Sequence, residues 1–181
     1  MAITGDISEV LFDADAIAAK VEYLSSHISH DYQGKELVLV SVLKGGLMFL
    51  ADLARGIDMP LSMDFMAISS YGAATEQTGV VQVIKDLSAP ILGKDVLVVE
   101  DIIDTGLALN YLLSTLRARQ PLSVSVCTLM DKSVRRIVDM PLKYKGFDVP
   151  DLFLVGYGLD YQQKYRNLPF VGVLKEGVFG R

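Results

Sequence analysis

Several residue types are scarce in this sequence, and each shortage excludes a class of protein. Cys127 is the single cysteine, so no disulfide can form within the chain and a cysteine-based zinc site lacks ligands. Acidic residues outnumber basic ones, 22 against 17, and the net charge of −5 argues against binding to nucleic acid or anionic membranes. Lys44 and Asp52 interrupt the longest apolar region, residues 37–54, which excludes a membrane span.

The residues that are abundant suffice for one folded core. Of the 181 residues, 51% are hydrophobic and 22% are charged, which is the composition of a globular domain. The N-terminal segment carries Asp6 and Glu9 without a basic residue, unlike a secretory signal, and a lone cysteine fits a reducing compartment. We therefore expect a single domain over residues 1–181, located in the cytoplasm.

Helical and strand-like hydrophobic patterns alternate along the chain. Apolar residues three or four positions apart predict a helix over 13–30, and a β-branched run predicts a buried strand over 37–42. A glycine turn and a helix over 47–54 follow that strand. The same unit recurs as a strand over 95–99, a turn over 100–106 and a helix over 107–119. Further strands are predicted at 61–68, 80–84, 122–130, 152–155 and, as an edge strand, 170–174.

This alternation predicts an α/β fold with an open, mostly parallel twisted sheet flanked by helices. Ligands of such sheets bind beyond the carboxyl ends of the strands. The segment 69–79 is polar, contains glycine and is longer than a hairpin turn needs, so we interpret it as a mobile functional loop.

An acidic motif follows the strand at 95–99, where residues 98–106 read Val-Val-Glu-Asp-Ile-Ile-Asp-Thr-Gly. Backbone N–H groups at the start of the next helix can cradle a phosphate, while Glu100 and Asp101 suit vicinal hydroxyls and a divalent cation. Together these features describe a sugar-phosphate site. The alternative is that Glu100 and Asp101 are solvated loop residues and that Asp104 caps the helix. Neither a Gly-x-Gly-x-x-Gly nor a P-loop motif follows any strand.

The acidic motif resembles the phosphoribosyl diphosphate loop of the type I phosphoribosyltransferases, and in particular that of their hypoxanthine-guanine branch. Further matches occur in the same order as in that family: Leu-Lys-Gly-Gly at 43–46, Ser-Tyr at 70–71, Lys132, and the segment 151–161 followed by Arg166. The resemblance spans residues 37–174. It implies a small hood beside the main sheet, a homodimer or homotetramer, and transfer of a phosphoribosyl group to hypoxanthine or guanine with Mg²⁺ present.

The resemblance also implies roles for the acidic motif. Backbone amides from Asp104 to Leu107, through Thr105 and Gly106, would hold the 5′-phosphate together with the Thr105 hydroxyl. Glu100 and Asp101 would bind the ribose hydroxyls and the metal, and Asp104 would be the general base at purine N7. Ala108 stands where the family usually has threonine, so one hydroxyl for the 5′-phosphate is missing.

Other motifs supply the diphosphate site and the lid. Lys44 and Gly45 match a diphosphate loop in which the Leu43–Lys44 peptide is expected to be cis. The alternative is that the glycines only permit a tight turn before a helix. Ser70 and Tyr71 match a lid that closes over the reacting atoms and excludes water.

The C-terminal third matches the base site. Lys132 would donate to the purine 6-oxygen, Phe153 would stack on the ring, and Leu154 would offer backbone groups. Asp160 matches a residue near the second metal and the amino edge of the base, and Arg166 matches a diphosphate contact. The alternatives are core packing for Phe153 and a solvated basic face for Lys132 with its neighbours Arg135 and Arg136.

Three other functions are compatible with some of these sequence motifs. An RNA-binding regulator can be built on a phosphoribosyltransferase fold, although the net negative charge and the base-site residues count against it. A xanthine-preferring phosphoribosyltransferase would share all of the motifs above. A phospho-acceptor domain would use Asp101 or Asp104, but aspartate-phosphorylating hydrolases resemble Asp-x-Asp-x-Thr, which this motif does not match.

Overall fold

The computed structural model describes residues 3–70 and 81–179. Nine strands and four helices follow one another along these residues, with short 3-10 turns at Ile3–Asp6 and Ser133–Arg135. The elements are β1 (Ile7–Phe12), α1 (Ala14–Asp31), β2 (Leu37–Val42), α2 (Leu47–Gly56), β3 (Leu61–Ser70), β4 (Val81–Lys85), β5 (Asp95–Ile103), α3 (Leu107–Arg117), β6 (Ser123–Asp131), β7 (Tyr144–Asp148), β8 (Leu154–Val155), β9 (Val171–Leu174) and α4 (Glu176–Phe179).

Six strands form the main sheet in the order β4-β3-β2-β5-β6-β7. All neighbours are parallel except β4, which pairs antiparallel with β3 at one edge. β2 and the Val96–Val99 part of β5 are almost entirely apolar and buried, as expected for central strands covered on both faces. Because β2 and β5 run side by side in the same direction, the loops that follow them meet at one edge of the sheet.

Helices cover the main sheet on both faces and complete two apolar layers. On one face α1 and α2 pack Leu24 and Leu53 against the sheet, and on the other face α3 packs Leu112. Each such side chain is almost fully buried and contributes roughly 1.5–3 kcal/mol to folding. α1 begins where Asp13 accepts a hydrogen bond from the Ala16 N–H at 2.8 Å. The helices thereby fix the ends of the strands that carry the acidic motif.

A second, three-stranded antiparallel sheet in the order β1-β9-β8 forms the hood. β9 lies in its middle, paired with β1 on one side and with β8 on the other. The strand predicted at 170–174 is confirmed as β9, but its predicted edge position is wrong, because β1 was not foreseen and supplies a second partner.

The α/β class, the open mostly parallel sheet and the hood are confirmed. β1 and β7 are additional strands, β8 is shorter than the predicted 152–155 strand, and α3 ends at Arg117 rather than 119. Of the loop predicted at 69–79, residues 69–70 belong to β3 and residues 71–79 lie outside the described residues. Among the residues that are described, no helix is long and apolar enough to cross a membrane.

Candidate active site

The acidic motif begins inside β5 rather than in the turn after it. Glu100 pairs with Thr128 and Ile103 with Asp131, so hydrogen bonding to β6 extends the strand to Ile103. The predicted turn at 100–106 is therefore wrong for its first four residues. The Asp101 residue is only 8% exposed, which also contradicts the alternative that it is a solvated loop residue.

Glu100 and Asp101 carry neighbouring, buried carboxyl groups near the end of β5. Burial raises the pKa of Asp101 to about 6, although the Ile102 N–H donates to its Oδ1 at 2.8 Å and opposes the rise. Burial and the neighbouring Asp101 charge raise the pKa of Glu100 as well. A cation placed beside these oxygens would stabilise both ionised forms, so the donor set fits Mg²⁺. Among the residues that the structure describes, no group of three or more potential ligands forms a complete metal site.

The turn after β5 opens α3 without a side-chain cap. Gly106 is the N-cap residue and adopts a left-handed conformation with φ of 81°, which glycine reaches at no steric cost. The Thr105 hydroxyl lies 3.4 Å from the Leu107 N–H. The alternative role of Asp104 as a helix cap is therefore wrong, and the Asp104 carboxylate is available for another function.

Two cavities adjoin this turn, and Asp104 lines both of them. The larger, of about 210 Å³, is also lined by Glu100, Thr105, Gly106 and Ala108. The smaller, of about 160 Å³, is lined by the predicted base-site residues Lys132, Phe153 and Leu154 together with Ile102, Asp104 and Leu159. The structure thus places the predicted sugar-phosphate residues and the predicted base residues around two cavities that share Asp104.

The Asp104 carboxylate has a charged neighbour, Arg135, from the segment that follows Lys132. Its Oδ1 is buried and accepts no hydrogen bond from the part of the chain that the structure describes. The Nε atom of Arg135 lies 3.1 Å from this oxygen, so the two groups form an ion pair. A buried acceptor without a hydrogen bond is uncommon and is often found at functional sites. In the amino-acid sequence, only its position near Lys132 pointed to Arg135.

Lys132 enters the site from the end of β6. Its backbone N–H donates to the Ile103 carbonyl at 2.9 Å, which ties the base side to the acidic motif. Its ammonium donates to the Leu152 carbonyl at 2.8 Å and lies 3.7 Å from the Asp151 carboxylate. Lys132 is 8% exposed, and Arg136 pairs with the buried Asp131. The alternative of a solvated basic face is therefore wrong for both residues.

Phe153 lies at the mouth of the smaller cavity, not in the core. It is 38% exposed, so the alternative of core packing is wrong. Its ring stacks on Phe179 with the centroids 4.9 Å apart and meets Tyr161 edge-on at 5.5 Å. Sequence reasoning missed Phe179, because nothing in the pattern places the chain end beside residue 153.

The loop between β2 and α2 reaches the acidic motif directly. The Leu43–Lys44 peptide is cis, which confirms the expectation from the family. A Cβ atom on Gly45 would overlap the Asp101 carboxylate, which would then have to shift. The glycines therefore do more than permit a tight turn, and Gly46 serves as the N-cap residue of α2.

The segment after β8 folds back onto this loop. Gly158 adopts φ of 101°, and a Cβ atom there would overlap the Gly45 carbonyl. Arg166 donates to the Gly158 carbonyl at 2.7 Å and pairs with Asp160 at 2.7 Å. Asp160 and Arg166 thus bind each other, whereas the family resemblance implied separate ligands. Ser70 is the last residue of β3, and Tyr71 lies outside the described residues.

Comparison with known proteins places this geometry in a family. Residues 8–162 match the phosphoribosyl transferase domain. The hypoxanthine-guanine phosphoribosyltransferase of Bacillus subtilis is 47% identical over 96% of this chain and 97% of its own, and that of Mycobacterium tuberculosis is 45% identical over 97% and 90%. The crystal structure of a hypoxanthine phosphoribosyltransferase from Staphylococcus aureus superposes with a TM-score of 0.96, at 46% identity, covering 100% of this chain and 98% of that one. The chain belongs to the phosphoribosyltransferase family.

Proposed function

We propose that this protein is an enzyme of purine salvage. It transfers the 5-phosphoribosyl group from phosphoribosyl diphosphate to N9 of hypoxanthine or guanine, forming inosine or guanosine monophosphate and releasing diphosphate. The observation that carries this proposal is the position of Asp104, which lines both the cavity of the acidic motif and the cavity of Lys132 and Phe153. A sugar bound on one side and a purine on the other would meet at this residue.

The reaction breaks the bond between the anomeric carbon and the diphosphate. Positive charge develops on the ribose and negative charge on the leaving group, as in other glycosyl transfers. Asp104 accepts the proton from purine N7 while N9 attacks the anomeric carbon. The position of Asp104 beside both cavities supports this role. General-base assistance of this kind contributes about 10²–10⁴-fold.

The larger cavity holds the sugar phosphate. Backbone N–H groups of Thr105, Gly106 and Leu107 face the 5′-phosphate at the positive end of the α3 dipole. Ala108 lines the same cavity without contributing a hydroxyl. Glu100 and Asp101 accept hydrogen bonds from the ribose hydroxyls.

Mg²⁺ is the expected cofactor, with Glu100, Asp101 and Asp160 as its candidate ligands. When bound with the substrate, it neutralises charge on the diphosphate and so helps that group to leave. The crowding of Glu100 and Asp101 supports a cation here, since burial raises the pKa of both carboxyls. Mg²⁺ usually binds through one or two carboxylates plus substrate oxygens, which suits a site that is incomplete in the protein alone.

The smaller cavity holds the base. Lys132 donates to the 6-oxygen, and an ammonium cannot accept from a 6-amino group, so 6-oxopurines are favoured over adenine. Phe153 stacks on the ring, which contributes about 1–3 kcal/mol. Backbone groups of Leu154 meet the edge of the base.

The diphosphate binds between the two loops that pack on each other. Lys44, the Gly45 amide and Arg166 supply its donors, and the contact between Gly45 and Gly158 supports their convergence. Ser70 and Tyr71 form the lid that excludes water from the electrophilic sugar.

The test is to incubate the protein with phosphoribosyl diphosphate and Mg²⁺ and to supply hypoxanthine, guanine, xanthine or adenine separately. Nucleotide should form rapidly with hypoxanthine or guanine. Turnover of xanthine alone would favour the xanthine-preferring alternative, and turnover of adenine alone would contradict the role of Lys132. We also propose, from the family resemblance, a homodimer or homotetramer in the cytoplasm, and light scattering on the purified protein tests the oligomer.

A further inference from the structure

The exposed side chain of Gln163 joins two cationic groups from distant parts of the chain. Its Oε1 accepts hydrogen bonds from the Lys44 ammonium at 3.3 Å and from Nη2 of Arg166 at 3.2 Å. Lys44 precedes Gln163 by 119 residues, so only the folded loops bring the two together. Two donors that converge on one oxygen reproduce the contact that a phosphate oxygen would make with the same groups.

The backbone around Gln163 is fixed by the turn that carries it. The Gln163 N–H donates to Oδ2 of Asp160 at 2.8 Å, and Tyr161 and Lys164 exchange backbone hydrogen bonds of 3.2 and 3.0 Å. Gln163 itself adopts φ of 63°. A non-glycine residue in this region is uncommon and persists when the surrounding contacts require it.

The choice of an amide matters for the charge of the site. A glutamine oxygen accepts from both cations without cancelling their positive charge. Asp160 already pairs with Arg166 at 2.7 Å, so one positive charge of the three groups remains for an anion. Holding Lys44 and Arg166 in place beforehand also reduces the conformational entropy that is lost when the ligand binds.

We propose that Gln163 is a positioning residue for the diphosphate group. Its amide oxygen holds the Lys44 ammonium and the Arg166 guanidinium at one point, and both donors then meet the diphosphate without first having to be ordered. The inference rests on the proposed function, because it takes Lys44 and Arg166 as the diphosphate donors.

The test compares three variants of the full chain. Gln163→Met keeps the length of the side chain and removes the oxygen, whereas Gln163→Glu keeps an acceptor oxygen at the same reach. Gln162→Met is the matched control, since Gln162 is the exposed neighbour and also has a positive φ, of 51°. The measurements are the KM for phosphoribosyl diphosphate, the KM for hypoxanthine, and the Kd of Mg²⁺-diphosphate by calorimetry.

Gln163→Met should raise the KM for phosphoribosyl diphosphate and the Kd for Mg²⁺-diphosphate by about tenfold, which corresponds to two side chains left unordered. The KM for hypoxanthine should stay within about twofold, and Gln162→Met should resemble the wild type. Gln163→Glu keeps an acceptor oxygen but adds a negative charge that cancels the remaining positive one, so it should weaken Mg²⁺-diphosphate binding at least as much as Gln163→Met. The inference is overturned if Gln163→Met binds diphosphate like the wild type, if the hypoxanthine KM rises in parallel, or if Gln163→Glu binds diphosphate like the wild type.

A double-mutant cycle with Lys44 separates positioning from an unrelated effect. If Gln163 acts partly through Lys44, then Gln163→Met should weaken diphosphate binding less in a Lys44→Met background than in the wild type. If the fold-changes of Gln163→Met and Lys44→Met simply multiply in the double variant, the proposal is contradicted. Failure of the proposed function would appear differently, as absence of phosphoribosyl transfer by the wild type itself.

Discussion

The Nε atom of Arg135 lies 3.1 Å from Oδ1 of Asp104, so a cation from the base side of the site pairs with the proposed general base. Both side chains are nearly half exposed, at 46% and 45%. An ion pair with that exposure is screened by water and contributes only about 0–1 kcal/mol. We therefore expect Arg135 to orient the Asp104 carboxylate and to contribute little to the rate.

The different roles of Asp104 and Arg135 predict different losses of kcat when each residue is substituted. Asp104→Asn should lower kcat by about 10²–10⁴-fold, because the amide cannot accept the N7 proton. Arg135→Gln should lower it by less than about fivefold, since a screened ion pair is lost. Steady-state rates of inosine monophosphate formation measure both. Binding of phosphoribosyl diphosphate should change little in either variant, and equal losses of kcat would contradict the assignment.

Lys132→Gln should weaken discrimination between bases. The ammonium of Lys132 can only donate, whereas a glutamine amide can also accept from a 6-amino group. We expect the ratio of kcat/KM for hypoxanthine over adenine to fall by about tenfold or more, because a hydrogen bond to a charged group contributes about 1.5–3 kcal/mol. The control is Lys145→Gln, whose ammonium pairs with Asp148 at 2.7 Å on β7. An unchanged ratio would remove Lys132 from base selection.

Gly158→Ala should lower activity through a steric clash, and comparison with Gly34→Ala should show how much of the effect comes from backbone strain alone. A Cβ atom on Gly158 would overlap the Gly45 carbonyl and push the two loops of the diphosphate site apart. Gly34→Ala is the control, because Gly34 has φ of 75° but no atom within 4 Å of an added Cβ. The control should lose about 1–2 kcal/mol of unfolding free energy through strain alone. Gly158→Ala should in addition lower kcat/KM by about 10²-fold or more; full activity would refute the close contact.

The strand-turn-helix units were predictable because their signals are local. The β-branched run of β2 and the glycine turn after it predict a buried strand and the start of a helix. The same pattern recurs at β5. β1 and β7 carry weaker signals. β1 pairs with irregular register and exposes much of its length, and β7 contains Gly146, where a Cβ atom would overlap the Leu129 carbonyl. Neither strand shows a clear alternation of apolar and polar residues.

The acidic motif alone predicted a sugar-phosphate site, whereas the base and diphosphate sides were predictable only through the family motifs. Those motifs identified Lys132 and Asp104, but their place at one cavity depends on the folded chain, in which the Lys132 N–H donates to the Ile103 carbonyl. Gln163 and Arg135 were missed because each acts through a side chain that crosses between loops. No periodicity or spacing in the sequence reports such contacts.

Ala108→Thr should improve binding of the sugar phosphate. Ala108 is the second residue of α3 and lines the larger cavity, where the family usually supplies a hydroxyl. A hydrogen bond to a charged phosphate contributes about 1.5–3 kcal/mol, so the KM for phosphoribosyl diphosphate should fall by about tenfold. Initial rates at varied phosphoribosyl diphosphate and saturating hypoxanthine measure it. An unchanged or higher KM would mean that another group already fills that role.

Tyr144→Phe should destabilise the protein in a manner that depends on pH. The Tyr144 hydroxyl donates to Oδ2 of Asp31 at 2.7 Å and joins the end of α1 to β7. This hydrogen bond lowers the pKa of Asp31, with burial opposing it and Lys143 at 3.3 Å adding to the decrease. Because the folded pKa lies below the unfolded one, the stabilisation is present above the unfolded pKa and is lost as the pH falls through the folded value.

Urea unfolding of the two proteins at pH 7, 5 and 3 measures this effect. The variant should lose about 1 kcal/mol at pH 7, a modest value because the Asp31 side chain is 37% exposed. The loss should persist at pH 5 and shrink at pH 3, where the Asp31 carboxylate begins to be protonated. Tyr23→Phe is the control, since the Tyr23 ring is 56% exposed and its variant should match the wild type at every pH. A loss that stays constant from pH 7 to 3 would show that Tyr144 acts through packing and not through the Asp31 charge.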